Sequence, residues 1–153
     1  MNKLTAGFCV AISALLADQA SKALALANAA SFEKGITVFP GFDLTLLRNE
    51  GVTFGFLPNV PWWALAMLAL GIVFFLILLM IKAKKTSEVV ALGVVIGGAL
   101  GNIVDRVRFG GVTDFLDFYL GTAHWPAFNF ADVFVVCGVG TLLWIEVFRK
   151  NKS

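Results

Sequence analysis

The feature that most constrains this chain is an uncharged, almost wholly apolar stretch at residues 61–81. A helix needs about 20 such residues to cross the hydrocarbon core of a bilayer. Similar stretches lie at residues 4–27, 89–104 and 131–148, and 59% of the 153 residues are hydrophobic whereas only 14% are charged. That composition is far too apolar for a soluble domain of this size. The sequence therefore predicts a single, all-α integral membrane domain with four transmembrane helices.

Basic residues at the ends of these stretches predict the topology. Lys3 precedes the first span, a lysine-rich segment at 82–85 follows the second, and a basic segment at 149–152 follows the fourth. With four spans, all of these residues fall on one side, which the positive-inside rule makes cytoplasmic. We therefore expect both termini in the cytoplasm and residues 28–60 and 105–130 outside it. The net charge of +2 comes from these clusters and does not indicate nucleic-acid binding.

Residues 4–27 also resemble a cleavable signal peptide, because a basic start and an apolar run precede small residues at 27–29. Asp18, Gln19 and Lys22 interrupt the run before that point, which favours a retained helix. Asp18 and Lys22 are four residues apart, share a helix face and can pair. Such a pair either makes a polar helix end tolerable or belongs to a functional site.

The segment between the first two spans has the pattern of a strand. Phe42, Leu44 and Leu46 alternate with polar residues, which is the two-residue period of a half-buried strand. Asn49 and Gly51 then predict a turn. At Gly51 the turn either serves a plain hairpin or allows the backbone to approach another group closely.

Small residues characterise the third span. Gly93, Gly97 and Gly101 recur every four residues and so form one face of the helix. A face without side chains permits close contact between membrane helices.

Polar residues gather at one depth of the predicted bundle. At about 1.5 Å per helical residue, they converge on the outer end of the spans. These residues are Asp18, Asn102, Asp105, Asp114, Asn129 and Asp132. Some have structural explanations: Asn129 and Asp132 fit a capping-box variant, and Asp105 and Arg106 fit an interfacial ion pair. Asp114 has neither explanation, because its neighbours are apolar.

Two carboxylates in one apolar pocket do not readily ionise together, so one retains a proton. Such a pair can activate water with one member and protonate the leaving group with the other. The competing chemistries are weak here. His124 has no His or Cys at metal-ligand spacing, and Cys9 and Cys137 lie in apolar runs where we expect buried, inert thiols. We expect no metal and no organic cofactor.

Five ordered motifs make the chain resemble the prolipoprotein signal peptidase family, also called signal peptidase II. They are Asp18-Gln19 and residues 49–55, 101–106, 112–115 and 128–132. The resemblance assigns catalysis to Asp114 and Asp132. It assigns support of the pocket or substrate to Asp18, Asn49, Gly51, Asn102, Asp105, Arg106, Asn129 and Ala131. Thr53 and Thr113 depart from the family pattern, where Ala and an aliphatic residue are common.

The resemblance also implies the activity and its setting. The protein would be a monomeric, multi-pass enzyme of the bacterial inner membrane whose site faces the extracytoplasmic side, with a small β-cradle and a short helix there. It would act on a diacylglyceryl-modified prolipoprotein in contact with membrane lipid, cutting on the N-terminal side of the lipidated Cys. Globomycin-type compounds would inhibit it. We expect Asp105 to pair with an arginine, and Arg106 and Asn102 to orient the substrate carbonyl or a carboxylate.

Two other classes of function stay open from the residues alone. A small proton-coupled transporter would use Asp18, Asp105 and Asp132 as a relay, but the inner half of each span lacks ionisable groups. A scaffold that only binds lipoprotein precursors would not need both Asp114 and Asp132.

Overall fold

The computed structural model describes residues 2–51 and 60–150, with side chains described up to residue 148. Thr53 and the second half of the 49–55 motif lie outside the described residues. The helices are α1 (Lys3–Ala27), α2 (Ala29–Phe32), α3 (Trp62–Lys82), α4 (Thr86–Phe109) and α5 (Phe130–Lys150). The strands are β1 (Ile36–Phe39), β2 (Phe42–Asn49), β3 (Val112–Leu120) and β4 (Ala123–His124).

Helices α1, α3, α4 and α5 form a bundle with α4 at its centre, in contact with the other three. Within the described residues, these four helices are long and apolar enough to cross a membrane. Helix α4 begins before and ends after the predicted segment 89–104, because it continues through polar residues at both ends, of which Asp105 is buried by the bundle. Many large apolar side chains point outward from the helices, as expected for surfaces that face lipid. Cys9 and Cys137 are on that outer surface, so the expected burial of these thiols is wrong.

The glycine face of α4 packs directly on α1. A methyl group added at Gly93 would meet the carbonyl oxygen of Gly7, and one added at Gly97 would meet that of Ala11. The two helices therefore run parallel with their backbones in contact, as the repeat of small residues predicts.

We expect Gly93→Ala to lower the thermal stability of the purified protein. The new methyl group must push α1 away from α4, and overpacking of this kind costs about 1–3 kcal/mol. Gly71 is the matched control, because no atom lies within 4 Å of the corresponding position on α3. Gly71→Ala should leave the melting temperature in detergent unchanged or slightly higher. Equal melting temperatures for the two variants would contradict the close packing.

Lys3 and the lysines around the α3–α4 connection lie at one end of the bundle. The Lys3 ammonium donates to the carbonyl oxygen of Ala83 at 2.9 Å, which joins the start of α1 to the α3–α4 connection. A surface groove of about 410 Å³ lies between that connection and the last turns of α5, where Leu142 and Glu146 contribute to its wall. The first and last membrane helices therefore have their terminal ends on the same side of the bundle.

A small antiparallel sheet covers the opposite end. The described strands pair in the order β1-β2-β3-β4, and Leu44 on β2 lies opposite Leu116 on β3. An irregularity between Leu44 and Leu47 then brings Leu47 opposite Asp114. The sequence predicts the strand at residues 42–46 but does not indicate β3. The fold is a helix bundle with a sheet, so the label all-α is too narrow.

Candidate active site

Asp114 is held on β3 with its carboxylate almost fully buried, at 2% exposure. Its Oδ1 accepts a hydrogen bond of 2.6 Å from the side-chain amide of Asn129, and its Oδ2 accepts one of 3.0 Å from that of Asn49. The Asn49 amide is fixed in turn, because its Oδ1 accepts from the backbone N–H of Gly51. Two amide donors of set orientation therefore hold this carboxylate.

Asp132 lies in the first turn of α5 as part of a capping box. The backbone N–H of Asn129 donates to Asp132 Oδ2 at 3.2 Å, and the backbone N–H of Asp132 donates to Asn129 Oδ1 at 3.2 Å. The predicted cap is confirmed. The cap leaves the other oxygen of Asp132 to accept from the Asn102 amide at 2.9 Å.

Two asparagines join the carboxylates. The amide nitrogen of Asn129, which donates to Asp114, also lies 3.2 Å from Asn102 Oδ1. Asn102 donates from its other side to Asp132. A chain of side-chain amides therefore runs from one carboxylate to the other, and helices α4 and α5 and strand β3 each contribute to it.

Burial raises the pKa of Asp114 to about 6. The hydrogen bonds from Asn49 and Asn129 oppose this rise, and the neighbouring charge of Asp132 adds to it. The carboxyl group thus titrates close to neutral pH, where it can either hold or release a proton.

This raised pKa predicts a pH-dependent stability. Between the unfolded pKa of 3.8 and the folded pKa of about 6, the folded state binds an extra proton. This extra proton stabilises the folded state at low pH, and its contribution to the unfolding free energy is lost as the pH rises through 6. Relative to Asp114→Asn, we expect wild-type protein to lose about 2 kcal/mol of unfolding free energy between pH 4 and pH 7. Thermal unfolding of both proteins in the same detergent across this range measures the difference, and parallel curves would contradict it.

Beneath the carboxylates lies a fully buried charged cluster. The Lys22 ammonium is 2.9 Å from Asp18 and 3.6 Å from Asp105, and all three side chains are at most 2% exposed. The predicted pairing of Asp18 with Lys22 is confirmed. We expected Asp105 to form an ion pair with an arginine. That expectation is wrong among the described residues, where its ion-pair partner is a lysine. Its partners are Lys22, the Gln19 amide and the backbone N–H of Thr113.

Asp18 ties this cluster to the start of α5. Its Oδ1 accepts from the backbone N–H of Ala131 at 2.9 Å, next to the catalytic candidate Asp132. A methyl group at Gly101 would collide with the Asp18 carboxylate. The absence of a side chain at Gly101 therefore makes room for this carboxylate.

Arg106 points from the last turns of α4 toward the turn at Gly51, whose carbonyl oxygen lies 3.4 Å from the guanidinium. Nothing described lies within 4 Å of the position of a Cβ at Gly51. Among the described residues, none occupies the space that a side chain at position 51 would fill.

An apolar groove of about 520 Å³ opens beside Asp132 on the outer face of the bundle. Aromatic side chains of Trp125 and Phe128 line its upper end, and Val133, Val136 and Cys137 of α5 continue it along the helix. The groove runs from the Asp132 carboxylate along the apolar outer surface of α5, a helix long and apolar enough to cross a membrane.

Asp117, on the same strand as Asp114, lies apart from this site. Asp117 pairs with the exposed His124 at 2.9 Å on the outer part of the sheet. Among the described residues, no group of three His, Cys, Asp or Glu side chains is arranged to hold a metal ion.

The structure gathers all the site residues that the sequence singled out at one end of the bundle, and it adds two. Lys22 contacts Asp18, Asp105 and Asn102, and Gln19 contacts both of these carboxylates. A cation in an apolar span was the sequence signal for Lys22. Its contacts with the distant α4 have no counterpart in local spacing.

These features define a multi-pass membrane protein with two carboxylates in a polar pocket at one end of its helix bundle. Comparison with known proteins identifies the family. Residues 10–148 match the family described as signal peptidase (SPase) II. The chain belongs to the signal peptidase II family of proteases, and the resemblance seen in its motifs is confirmed.

Individual relatives agree over nearly the whole chain. A lipoprotein signal peptidase of Anaplasma marginale (strain Florida) is 37% identical, covering 100% of this chain and 91% of its own. One of Shewanella sp. (strain MR-4) is 40% identical, with 95% and 88% covered. A solved structure described as a bacterial membrane enzyme, determined in meso at 2.3 Å, superposes with a TM-score of 0.80 at 28% identity and covers 96% of this chain and 89% of its own.

Proposed function

We propose that this protein is an aspartic endopeptidase that removes the signal peptide from diacylglyceryl-modified prolipoproteins. Asp114 and Asp132 are the catalytic pair, and the cut falls on the N-terminal side of the lipidated Cys. The single observation that carries this proposal is the amide chain through Asn129 and Asn102, which holds the carboxylates of Asp114 and Asp132 at one pocket.

The arrangement supports water-mediated hydrolysis. The ionised carboxylate takes a proton from a water molecule, whose oxygen attacks the carbonyl carbon of the scissile peptide. The protonated carboxylate donates its proton to the carbonyl oxygen as the tetrahedral intermediate forms. Collapse of that intermediate breaks the C–N bond: the protonated carboxyl group gives its proton to the leaving amine, and the ionised carboxylate takes the proton of one hydroxyl as the new carboxyl group forms.

The other residues of the pocket have supporting roles. Asn49 and Asn129 fix Asp114, and Asn102 fixes Asp132. The missing side chain of Gly51 allows a substrate backbone to come close, since no described residue fills that position, and Arg106 directs its guanidinium toward the same turn.

Polar side chains hold the backbone beneath the pocket. Asp18 anchors the backbone of Ala131, and Asp105 anchors that of Thr113. The Thr113 hydroxyl accepts from the Arg48 guanidinium, which gives a polar residue a partner at this buried position.

The position of the site suggests how the substrate arrives. Acyl chains that stay in the bilayer fit the apolar groove beside Asp132, which brings the attached Cys to the carboxylates. We place both termini in the cytoplasm and the sheet on the extracytoplasmic face of a bacterial inner membrane. The lysines at the start of α1 and around the α3–α4 connection lie at the opposite end of the bundle and support this orientation.

A direct assay tests the proposal. Purified protein in detergent micelles is incubated with a diacylglyceryl precursor, and release of the signal peptide is followed by gel mobility and mass. Release with a new N-terminus at the lipidated Cys is the expected result. Binding of the precursor without release would favour a scaffold, and cleavage at another bond would refute the proposed site.

Inhibitor classes give a second, independent prediction. Because the proposed mechanism uses only carboxylates and water, EDTA and serine-directed reagents should leave the rate unchanged. A compound that places a hydroxyl between the two carboxylates should bind tightly by replacing the water. We expect the cyclic peptide globomycin, the inhibitor that the family resemblance implies, to bind in this way through its hydroxyl group. Loss of activity in EDTA that added metal restores would overturn the mechanism.

A further inference from the structure

Lys22 is a buried cation whose contacts extend beyond the ion pair that neutralises it. We propose that Lys22 is a positioning residue for cleavage, which orients the Asn102 amide so that its NH2 group donates to Asp132. This inference rests on the proposed role of Asp132 in catalysis. It concerns a residue that the catalytic steps above do not use.

The Lys22 ammonium group determines which end of the Asn102 amide faces it. Lys22 Nζ lies 3.0 Å from Asn102 Oδ1. An ammonium group has only donors, so an amide beside it presents its oxygen. The amide NH2 of Asn102 then points the other way, and it donates to Asp132 Oδ1 at 2.9 Å.

The reversed amide would be unfavourable at both ends. Its NH2 group would face the Lys22 ammonium, and its oxygen would face the Asp132 carboxylate. Without Lys22, the carboxylate alone would still favour the present orientation, but Asn102 Oδ1 would lose its charged donor. The side chain would then be held by fewer contacts at a buried site, where lost hydrogen bonds are costly.

The same contact reaches the second carboxylate. The amide nitrogen of Asn129 that contacts Asp114 also donates a hydrogen bond of 3.2 Å to Asn102 Oδ1. Asn102 Oδ1 therefore accepts from Lys22 and Asn129 together. Movement of Asn102 would disturb the amide chain that spaces Asp114 from Asp132.

A simpler role for Lys22 is to neutralise Asp18 and Asp105, which it approaches at 2.9 and 3.6 Å. That role accounts for two of its contacts but does not require the third, with Asn102. The two roles make different predictions once the charge of the cluster is kept constant. The experiment below uses that difference.

The first variant is Lys22→Met, which removes the donor. In the assay with diacylglyceryl precursor, we expect kcat to fall on the order of 100-fold while KM changes less than about threefold, because positioning of Asp132 affects the transition state more than substrate binding. Asn102→Ala should show a similar fall. The double variant Lys22→Met/Asn102→Ala should be no slower than Asn102→Ala, because the two changes remove the same interaction.

Since Lys22→Met leaves two carboxylates buried, a second variant protects the test from misfolding. Asp18→Asn/Lys22→Met removes one charge of each sign and so leaves the net charge of the cluster unchanged. We expect it to melt close to wild type and still to have a low kcat.

Two results would overturn the inference. One is a kcat for Lys22→Met within about threefold of that of wild type, or a kcat for Asp18→Asn/Lys22→Met within about threefold of that of Asp18→Asn. The other is a double variant whose loss is the product of the two single losses. If wild type cleaves and Asp132→Asn does not, either result refutes the role of Lys22 alone. If wild type fails to cleave or Asp132→Asn stays active, the proposed function itself fails.

Discussion

Replacement of either Asp114 or Asp132 by Asn is expected to reduce cleavage by at least about 1,000-fold while the protein stays folded in the membrane. An amide has nearly the shape of a carboxyl group but neither accepts a proton from water nor delivers one at neutral pH. Each residue is needed as base or acid, so neither can compensate for loss of the other. Initial rates with saturating diacylglyceryl precursor measure the effect.

Asp117→Asn is the matched control for this experiment. Asp117 is on the same strand as Asp114, but its carboxylate pairs with the exposed His124 away from the pocket. Its replacement by an amide of nearly the same shape should leave the rate within about twofold of wild type, because the described partner of this carboxylate is His124 and not the catalytic pair. A rate above a tenth of wild type in either Asp114→Asn or Asp132→Asn would refute the catalytic assignment.

The unlipidated precursor is expected to be cleaved at least about 100-fold less efficiently than the lipidated one. That factor corresponds to about 2.7 kcal/mol of transition-state stabilisation. Each buried methylene group contributes about 0.8 kcal/mol to partition into the membrane, so two acyl chains hold the Cys at one depth. The apolar groove beside Asp132 lies where chains attached to that Cys would extend. Paired assays at equal concentration in the same micelles compare kcat/KM for the two precursors.

A change in the groove separates its contribution from that of the micelle. Val133 lines the groove, whereas Val139 is exposed on α5 and is not among the groove's lining residues. Val133→Phe should reduce the preference for the lipidated precursor, and Val139→Phe should leave it unchanged. Comparable rates for the two precursors in wild type would mean that the pocket recognises peptide alone, and lateral entry from the bilayer would have to be abandoned.

Local sequence patterns determined the parts of this protein that depend on neighbours along the chain. Length and hydropathy indicate the four membrane helices, because crossing a bilayer requires about 20 apolar residues whatever the partners are. The spacing of Asp18 and Lys22 predicts their pairing, and that of Asn129 and Asp132 predicts the helix cap. The glycine repeat indicates which face of α4 is in close contact, although not with which helix.

Strand β3 escaped prediction because its environment removes the usual signal. Its first residues, from Val112 to Leu116, are buried in succession, so they lack the alternation of polar and apolar residues that marks a half-buried strand. The sequence thus singled out Asp114 by its apolar neighbours without showing what held it. Pairing of β3 with β2 brings Asn49 to its carboxylate.

Tertiary structure alone decided the partners across the pocket. Asp105 lies near the end of an apolar helix and precedes an arginine in sequence, yet the bundle places Lys22 of α1 beside it. The ammonium also reaches Asn102, whose amide then donates to Asp132 on a third helix. Local spacing fixes neighbours within about one helical turn, whereas the packing of α1 and α5 against α4 sets these longer contacts. The sequence therefore determined which polar groups this membrane protein must bury, and the packing of its helices determined how those groups satisfy one another.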